Sequence, residues 1–192
     1  MPGGLLLVTM QPPSDMEDEF NDWYDTEHFP ERRALPGFLS ASRWAAVEGW
    51  PRYLALYELD SVAALETPEY CAVSNDRASP WSRRVIPRAL GRRRVVAVAT
   101  EPSTAMLPPP RRTARLLVAR YSGLSDEAAR TARSRPEAGP AKIRTYRAAD
   151  DLWFLAAFAR PVMLADLIGP FGEIADRGAT LFNLYVPYLR SE

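Results

Sequence analysis

The chain has 192 residues, 47% of them hydrophobic and 25% charged, ordinary values for a globular protein long enough to bury a core. Basic and acidic residues balance at 24 each, so no global field recruits nucleic acid or an anionic membrane. Cys71 is the only cysteine, which excludes an intrachain disulfide and a cysteine-rich metal site.

The opening MPGGLLLVTM has no basic n-region. Its apolar run, Leu5–Val8, is far short of the roughly 20 residues that span a bilayer. A cytoplasmic protein is expected. Gly4–Met10 reads as a first strand, apolar on both faces, and is followed by Pro12 and Pro13. Ser14 and Glu17 then form an S-x-x-E capping box, with acidic residues on the positive end of the helix dipole. The helix is predicted from about Asp15 to Glu27 or His28, because Pro30 disfavours helical geometry at Phe29.

Pro36-Gly37 marks a turn. Phe38–Val47 and Arg52–Leu59 read as strands of an antiparallel hairpin around Glu48–Pro51. Ser61–Leu65 begins a second helix, and Pro68, Pro80 and Pro87 break the stretch as far as Leu90 into helical pieces. Arg92–Thr100 is a β-branched strand. The order is β-α-β-β-α-β.

Glu101–Arg112 is proline-rich and reads as a semi-rigid connector. The same order then recurs: strand Ala114–Tyr121, helix Ser125–Ser134, strands Lys142–Arg147 and Leu152–Ala159, a helix over Val162–Asp176 interrupted near Gly169-Pro170, and strand Thr180–Tyr188. A sheet with helices on one face leaves its other face to be covered. The two halves cover each other in this reading. The expected fold class is α+β, with two ferredoxin-like units, residues 1–100 and 113–192, joined by a linker at 101–112.

Within the first unit, Glu19–Phe38 carries a particular pattern: Phe20 with the pair Trp23 and Tyr24 on a helix, then His28, Pro30 and the Pro36-Gly37 turn into a strand. This run resembles the EthD-like members of the dimeric α+β barrel superfamily. The resemblance implies a barrel pseudo-dimer within one chain and an open pocket between sheet and helices or within the barrel. It does not fix a reaction. Relatives of the fold include cofactor-free monooxygenases, cyclases, isomerases, decarboxylases and haem enzymes.

His28, the only histidine, is the leading catalytic candidate, since an imidazole exchanges protons near neutral pH. Tyr24 lies four residues earlier on the same helical face. Glu27 or Asp25 is placed to hold the imidazole in one tautomer. The competing structural role for His28 is a cap at the helix C-terminus. Trp23, Trp44, Tyr53 and Tyr57 are candidates for an aromatic lining or for plain core. Arg43 would hold a substrate oxygen if it faces inward, but a solvated arginine is the expected case. The Arg92–Arg94 and Arg111–Arg112 runs read as solvated strand and linker ends, and Cys71 as buried and inert.

No phosphate loop, dinucleotide fingerprint or zinc spacing appears, so no cofactor is expected. The functional expectation is a cofactor-independent enzyme. His28 would be its general acid or base, acting on a small apolar or aromatic carbonyl compound in a cyclisation, isomerisation or decarboxylation. The alternatives are a non-catalytic ligand-binding or assembly protein of the same fold, a homo-oligomer among them, and, more weakly, a haem protein ligated by His28.

Overall fold

Strand alternation sorts side chains between two faces, and in the first, third and seventh strands both faces are largely apolar. The computed structural model describes residues 3–101, 106–125, 127–128, 130, 142–174 and 177–189. Its strands are β1 (Gly4–Gln11), β2 (Phe38–Glu48), β3 (Tyr53–Leu59), β4 (Leu90–Ala99), β5 (Arg115–Ser122), β6 (Lys142–Ala148), β7 (Asp151–Phe158), the two-residue β8 (Glu173–Ile174) and β9 (Arg177–Gly178), and β10 (Leu181–Pro187). All but the β8–β9 pair close into an antiparallel barrel in the order β1-β3-β2-β10-β5-β7-β6-β4.

Strands of the first half therefore run β4-β1-β3-β2, and those of the second β6-β7-β5-β10. The halves join along β2–β10, and along β4–β6 through the pairs Val98↔Arg147 and Ala99↔Tyr146. The expected β2–β3 hairpin is present, with Trp44 opposite Leu54. Closure removes sheet edges and seals one face of every strand inside.

The barrel interior is filled by Leu5, Leu7, Trp44, Leu54, Leu56, Val118, Trp153 and Leu155 among others. The outer faces carry two further cores. Phe20, Trp23 and Tyr24 cover the first half, with Leu6, Tyr53 and Tyr57 beneath them. Phe171 and Leu167 pack on Phe154 and Phe158 in the second. One polar cluster lies inside the barrel. The Glu58 carboxylate accepts from Ser40 Oγ at 3.0 Å, Tyr146 Oη at 3.1 Å and the Leu107 backbone amide at 3.1 Å, with Arg144 at 3.8 Å. Burial raises the Glu58 pKa, and these donors and Arg144 oppose the rise. Leu107 also packs on the interior core, so the proline-rich stretch plugs the barrel as well as connecting strands.

Several expectations are corrected. The capping box does not form. Ser14–Met16 is a 3-10 turn without a side-chain cap, and α1 spans Glu17–Trp23. Glu17 instead accepts from Tyr53 Oη at 2.5 Å and pairs with Arg52 at 2.8 Å. Helical backbone does not stop before Pro30 either: a π-helical turn, Tyr24–His28, leads into α2 (Phe29–Arg33). The second helix begins as a 3-10 turn, Val62–Glu66, and continues as the expected pieces, α3 (Pro68–Ala72) and α4 (Pro80–Val85), flanked by 3-10 turns. The helix expected over Val162–Asp176 reduces to α5 (Leu164–Leu167) and a π-turn, Ile168–Gly172, before β8. Most of the helix expected at Ser125–Ser134 lies outside the described residues. Cys71 is exposed, not buried. Among the described residues no helix is long and apolar enough to cross a membrane.

Trp44 is 1% exposed and belongs to the packed barrel interior. Trp44→Ala is expected to lower unfolding stability by about 3–5 kcal/mol, read from urea denaturation midpoints at constant m-value. A loss under about 1 kcal/mol would show that the interior is not packed around this ring.

Candidate active site

Proline 30 explains the local geometry around His28. Proline has no amide hydrogen, so the helical ladder must lose a bond where it enters. The chain answers with the π-turn: the amide of Phe29 donates to the carbonyl of Tyr24, five residues back. Such bulges re-aim the side chains they carry and recur at functional sites. Here the bulge turns the His28 ring under the helix, with its centroid 4.5 Å from that of Trp23 and 5.2 Å, edge-on, from Tyr24. Trp23 is itself fixed by its Nε1 donating to Ser82 Oγ of α4 at 3.1 Å.

His28 borders a cavity of about 510 Å³ between the helices and the outer face of the first-half sheet. Leu6, Val8, Met10 and Ile86 supply apolar wall, and Tyr57 and Tyr70 supply rings. The size suits a small organic molecule, and apolar walls with a few placed polar groups are what such molecules need. Three bordering residues carry a sealed polar atom with no hydrogen-bond partner: Nδ1 of His28, Oη of Tyr57 and Oγ of Ser74. Buried polar atoms are nearly always paired. All three atoms are covered by protein, so these unpaired groups lie within the wall and not at its open surface.

The electrostatics set the protonation state of His28. The residue keeps intermediate exposure along the cavity, yet its ring lies deep. Burial, reinforced by the positive charges of Arg32, Arg43 and Arg92, pulls its pKa down from 6.5 to about 3. The imidazole is therefore neutral at pH 7. Tyr57 is raised well above 10, first by burial and then by its neighbour Tyr24. The two hydroxyls sense each other electrostatically, but no aligned hydrogen bond joins them. Burial likewise raises Tyr24, with Arg43 opposing.

The other predicted site residues are placed differently from expectation. Neither Asp25 nor Glu27 holds the imidazole. Asp25 Oδ1 accepts from Arg43, and Glu27 accepts from Ser79 Oγ at the start of α4. The helix-cap role for His28 is absent too, because helical backbone continues past it. Trp44 faces the barrel interior, Trp23 and Tyr53 lie in the helix–sheet core, and only Tyr57 of the expected aromatic lining borders the cavity.

Arg43 is buried, not solvated. It points to the helix side of β2, donates to Asp25 and to Asn21 Oδ1 at 2.9 Å, and lies 4.3 Å from the ring centres of both Tyr24 and Tyr188. A planar guanidinium fits between rings while serving carboxylate and amide acceptors.

Sequence reasoning missed Arg32, Arg83, Arg92 and Arg94, all of which border the cavity. Arg92 and Arg94 alternate with Val95 and Ala97 along β4, so they share the helix-side face with Val96. That period-two placement was the available signal. Reading the arginines as a run hid it. Arg32 is tied down by Glu31 at 2.8 Å and the Val73 carbonyl at 2.6 Å, and Arg94 donates to Tyr70 Oη at 3.1 Å. Arg83 and Arg92 have no side-chain hydrogen bond or ion pair among the described residues. No group of three or more candidate metal ligands occurs among the described residues.

No protein-family model matches the chain, and no curated protein does. Solved structures do. An anthrone oxidase-like protein superposes with a TM-score of 0.61 at 9% identity, covering 97% of this chain and 91% of that one. A chlorite dismutase variant from Candidatus Nitrospira defluvii gives 0.57 at 12%, covering 97% and 90%. A protein named for monooxygenase activity, from Lactobacillus acidophilus NCFM, gives 0.53 at 8%, covering 96% and 94%. At these identities the likeness is one of fold. The closed barrel described above is thus the fold that this chain shares with these structures.

The buried neutral imidazole has a consequence for stability. Above pH 6.5 neither the folded nor the unfolded chain protonates His28. Between 6.5 and about 3 only the unfolded chain does, so stability falls as pH falls through that window. At pH 5 the expected loss from this group is about 2 kcal/mol relative to pH 8. Because His28 is the only histidine, the stability of wild type minus His28→Gln, measured by urea unfolding at both pH values, isolates it. A difference that does not change with pH would contradict the buried neutral ring.

Proposed function

We propose that this protein is a cofactor-independent small-molecule enzyme, in which neutral His28 accepts a proton from carbon next to a substrate carbonyl. The single observation that carries this reading is the His28 imidazole, neutral and without a protein hydrogen-bond partner, at the wall of an apolar cavity whose cations suit a developing oxyanion. Loss of the proton leaves an enolate. Its oxygen is the charge that a guanidinium stabilises, and cyclisation, isomerisation or decarboxylation all pass through such a species.

In this reading Tyr24 positions the imidazole through its edge-on ring contact. Asp25 fixes Arg43 behind Tyr24, and Glu27 anchors α4 through Ser79; neither carboxylate acts on the ring directly. Tyr57 meets the substrate at the wall, while Trp23, Arg43 and Trp44 support the site from behind. The Glu19–Phe38 run supports an EthD-like assignment. The strand orders β4-β1-β3-β2 and β6-β7-β5-β10 support two ferredoxin-like units, residues 1–100 and 113–192, joined by residues 101–112 into a pseudo-dimer. On this view the site occurs once per chain, since the second unit has no histidine.

Haem does not suit His28. An axial imidazole is ordinarily oriented by an acceptor at its other ring nitrogen, and among the described residues no protein group hydrogen-bonds this ring.

One neighbour of this fold is named an anthrone oxidase-like protein, which makes anthrone, a ketone with acidic methylene protons, a rational probe. The protein is expected to accelerate exchange of those protons in heavy water, followed by proton NMR. His28→Gln is expected to lose about 100-fold or more of that acceleration while keeping the wild-type circular dichroism spectrum and melting temperature at pH 8. Equal exchange by the variant would overturn the role of His28. Binding without any acceleration would favour a ligand-binding protein of the same fold.

A further inference from the structure

The cavity at His28 is cationic in a chain whose total charge is zero. Arg32, Arg83, Arg92 and Arg94 border it, and no aspartate or glutamate does. The carboxylate of Glu31, next to Arg32 in sequence, is taken up by that arginine. Arg32 and Arg94 are held in place by protein acceptors, but Arg83 and Arg92 are exposed and bring no partner of their own. Arg92 comes from β4 and Arg83 from α4, so sheet and helix present their guanidiniums to the same opening. Beneath these cations the wall is apolar and aromatic, from Leu6 and Val8 on β1 to Ile86 beyond α4.

From this arrangement we infer that the cavity selects a ligand with an apolar ring body and a carboxylate, the ring seated on the β1 side and the carboxylate gripped by Arg92 and Arg83. The inference rests on the functional reading above for the claim that the cavity is a substrate site, and it adds the chemical class of that substrate. A guanidinium meets a carboxylate through two parallel N–H donors, which fixes orientation as well as charge. Such a grip at the mouth would point the rest of the molecule inward, toward His28 and Tyr57. A neutral ligand of the same shape would leave the guanidiniums without a partner and gain only the apolar contact.

The charge of the ligand also bears on His28. Three arginines already disfavour its cation. A bound carboxylate offsets part of that field and makes the imidazole a stronger base once substrate is in place. Recognition and activation then come from the same contact.

The test compares naphthoate with its neutral amide, naphthamide, by isothermal titration calorimetry at pH 7.5 in low salt. Naphthoate is expected to bind about tenfold or more tighter than the amide. In the double variant Arg83→Gln/Arg92→Gln the preference is expected to disappear, with the amide unaffected. Arg111→Gln/Arg112→Gln, which alters exposed arginines outside the cavity, is expected to keep the preference. Equal affinities for acid and amide, or a preference that survives loss of Arg83 and Arg92, would overturn the inference and leave the role of His28 standing. Tight naphthoate binding that the Arg83→Gln/Arg92→Gln variant loses would uphold the inference even without anthrone exchange, since anthrone lacks the carboxylate. Anthrone exchange without naphthoate binding would overturn the inference and uphold the enzymatic reading.

Discussion

Closing the sheet into a barrel gives β1 and β3 two buried faces with different duties. The inward residues, such as Leu5, Leu7, Leu54 and Leu56, make one packed interior. The outward residues, such as Leu6, Tyr53 and Tyr57, meet the helices. Interior packing holds the strands in register, which leaves the outer layer free to be incomplete. The helices of the first half are short: α3 and α4 begin at Pro68 and Pro80, and Pro87 lies in the 3-10 turn that follows α4. They cover part of the sheet densely, through Phe20, Trp23 and Tyr24, and leave the opening beside His28.

The site also depends on a buried charge placed behind it. Arg43 carries its charge into the helix–sheet core, where an unpaired guanidinium would cost several kcal/mol. Asp25, Asn21 and the rings of Tyr24 and Tyr188 satisfy it. That cluster fixes Tyr24 from one side while His28 meets it from the other. Tyr188 lies just past β10 of the second half, so the far end of the chain helps hold the ring that positions the imidazole. The Glu58 cluster plays a comparable part inside the barrel, where β3, β6 and the strap at Leu107 converge on one carboxylate.

Much of this was legible in the residues. Apolar runs located the strands to within a residue or two, since strands buried on both faces leave an unambiguous signal. The proline-broken helices and the β2–β3 hairpin came from local chemistry. The π-turn did not, because Pro30 argues for a helix stop unless the ladder can slip by one residue, and tertiary contacts at Trp23 and Tyr24 decide which occurs. Asp25 and Glu27 were assigned to His28 from proximity in sequence, but the π-turn sends them to Arg43 and Ser79 instead. Arg43 was misjudged because burial of an arginine depends on partners contributed by another element. The four cavity arginines come from α2, α4 and β4. Only the fold brings them together.

Under the proposed function, burial also decides what His28 would offer a substrate. A neutral imidazole is ready to receive a proton at pH 7, but the low-dielectric surroundings that keep it neutral make its cation costly. Proton abstraction from carbon creates an imidazolium and an enolate together. Where water is scarce, opposite charges formed at close range attract far more strongly than in solvent, and this attraction offsets part of the cost of charging the ring. The arginines contribute in two directions, since they favour the enolate and oppose the imidazolium. Distance separates these effects. Arg83 and Arg92 at the opening serve a ligand oxygen best when that oxygen lies between them and the imidazole, because the anion then screens the ring from their charge. A ligand that enters acid-first would put its negative charge against His28 and leave the guanidiniums idle, so the arrangement of charge favours one orientation of an asymmetric substrate over the other.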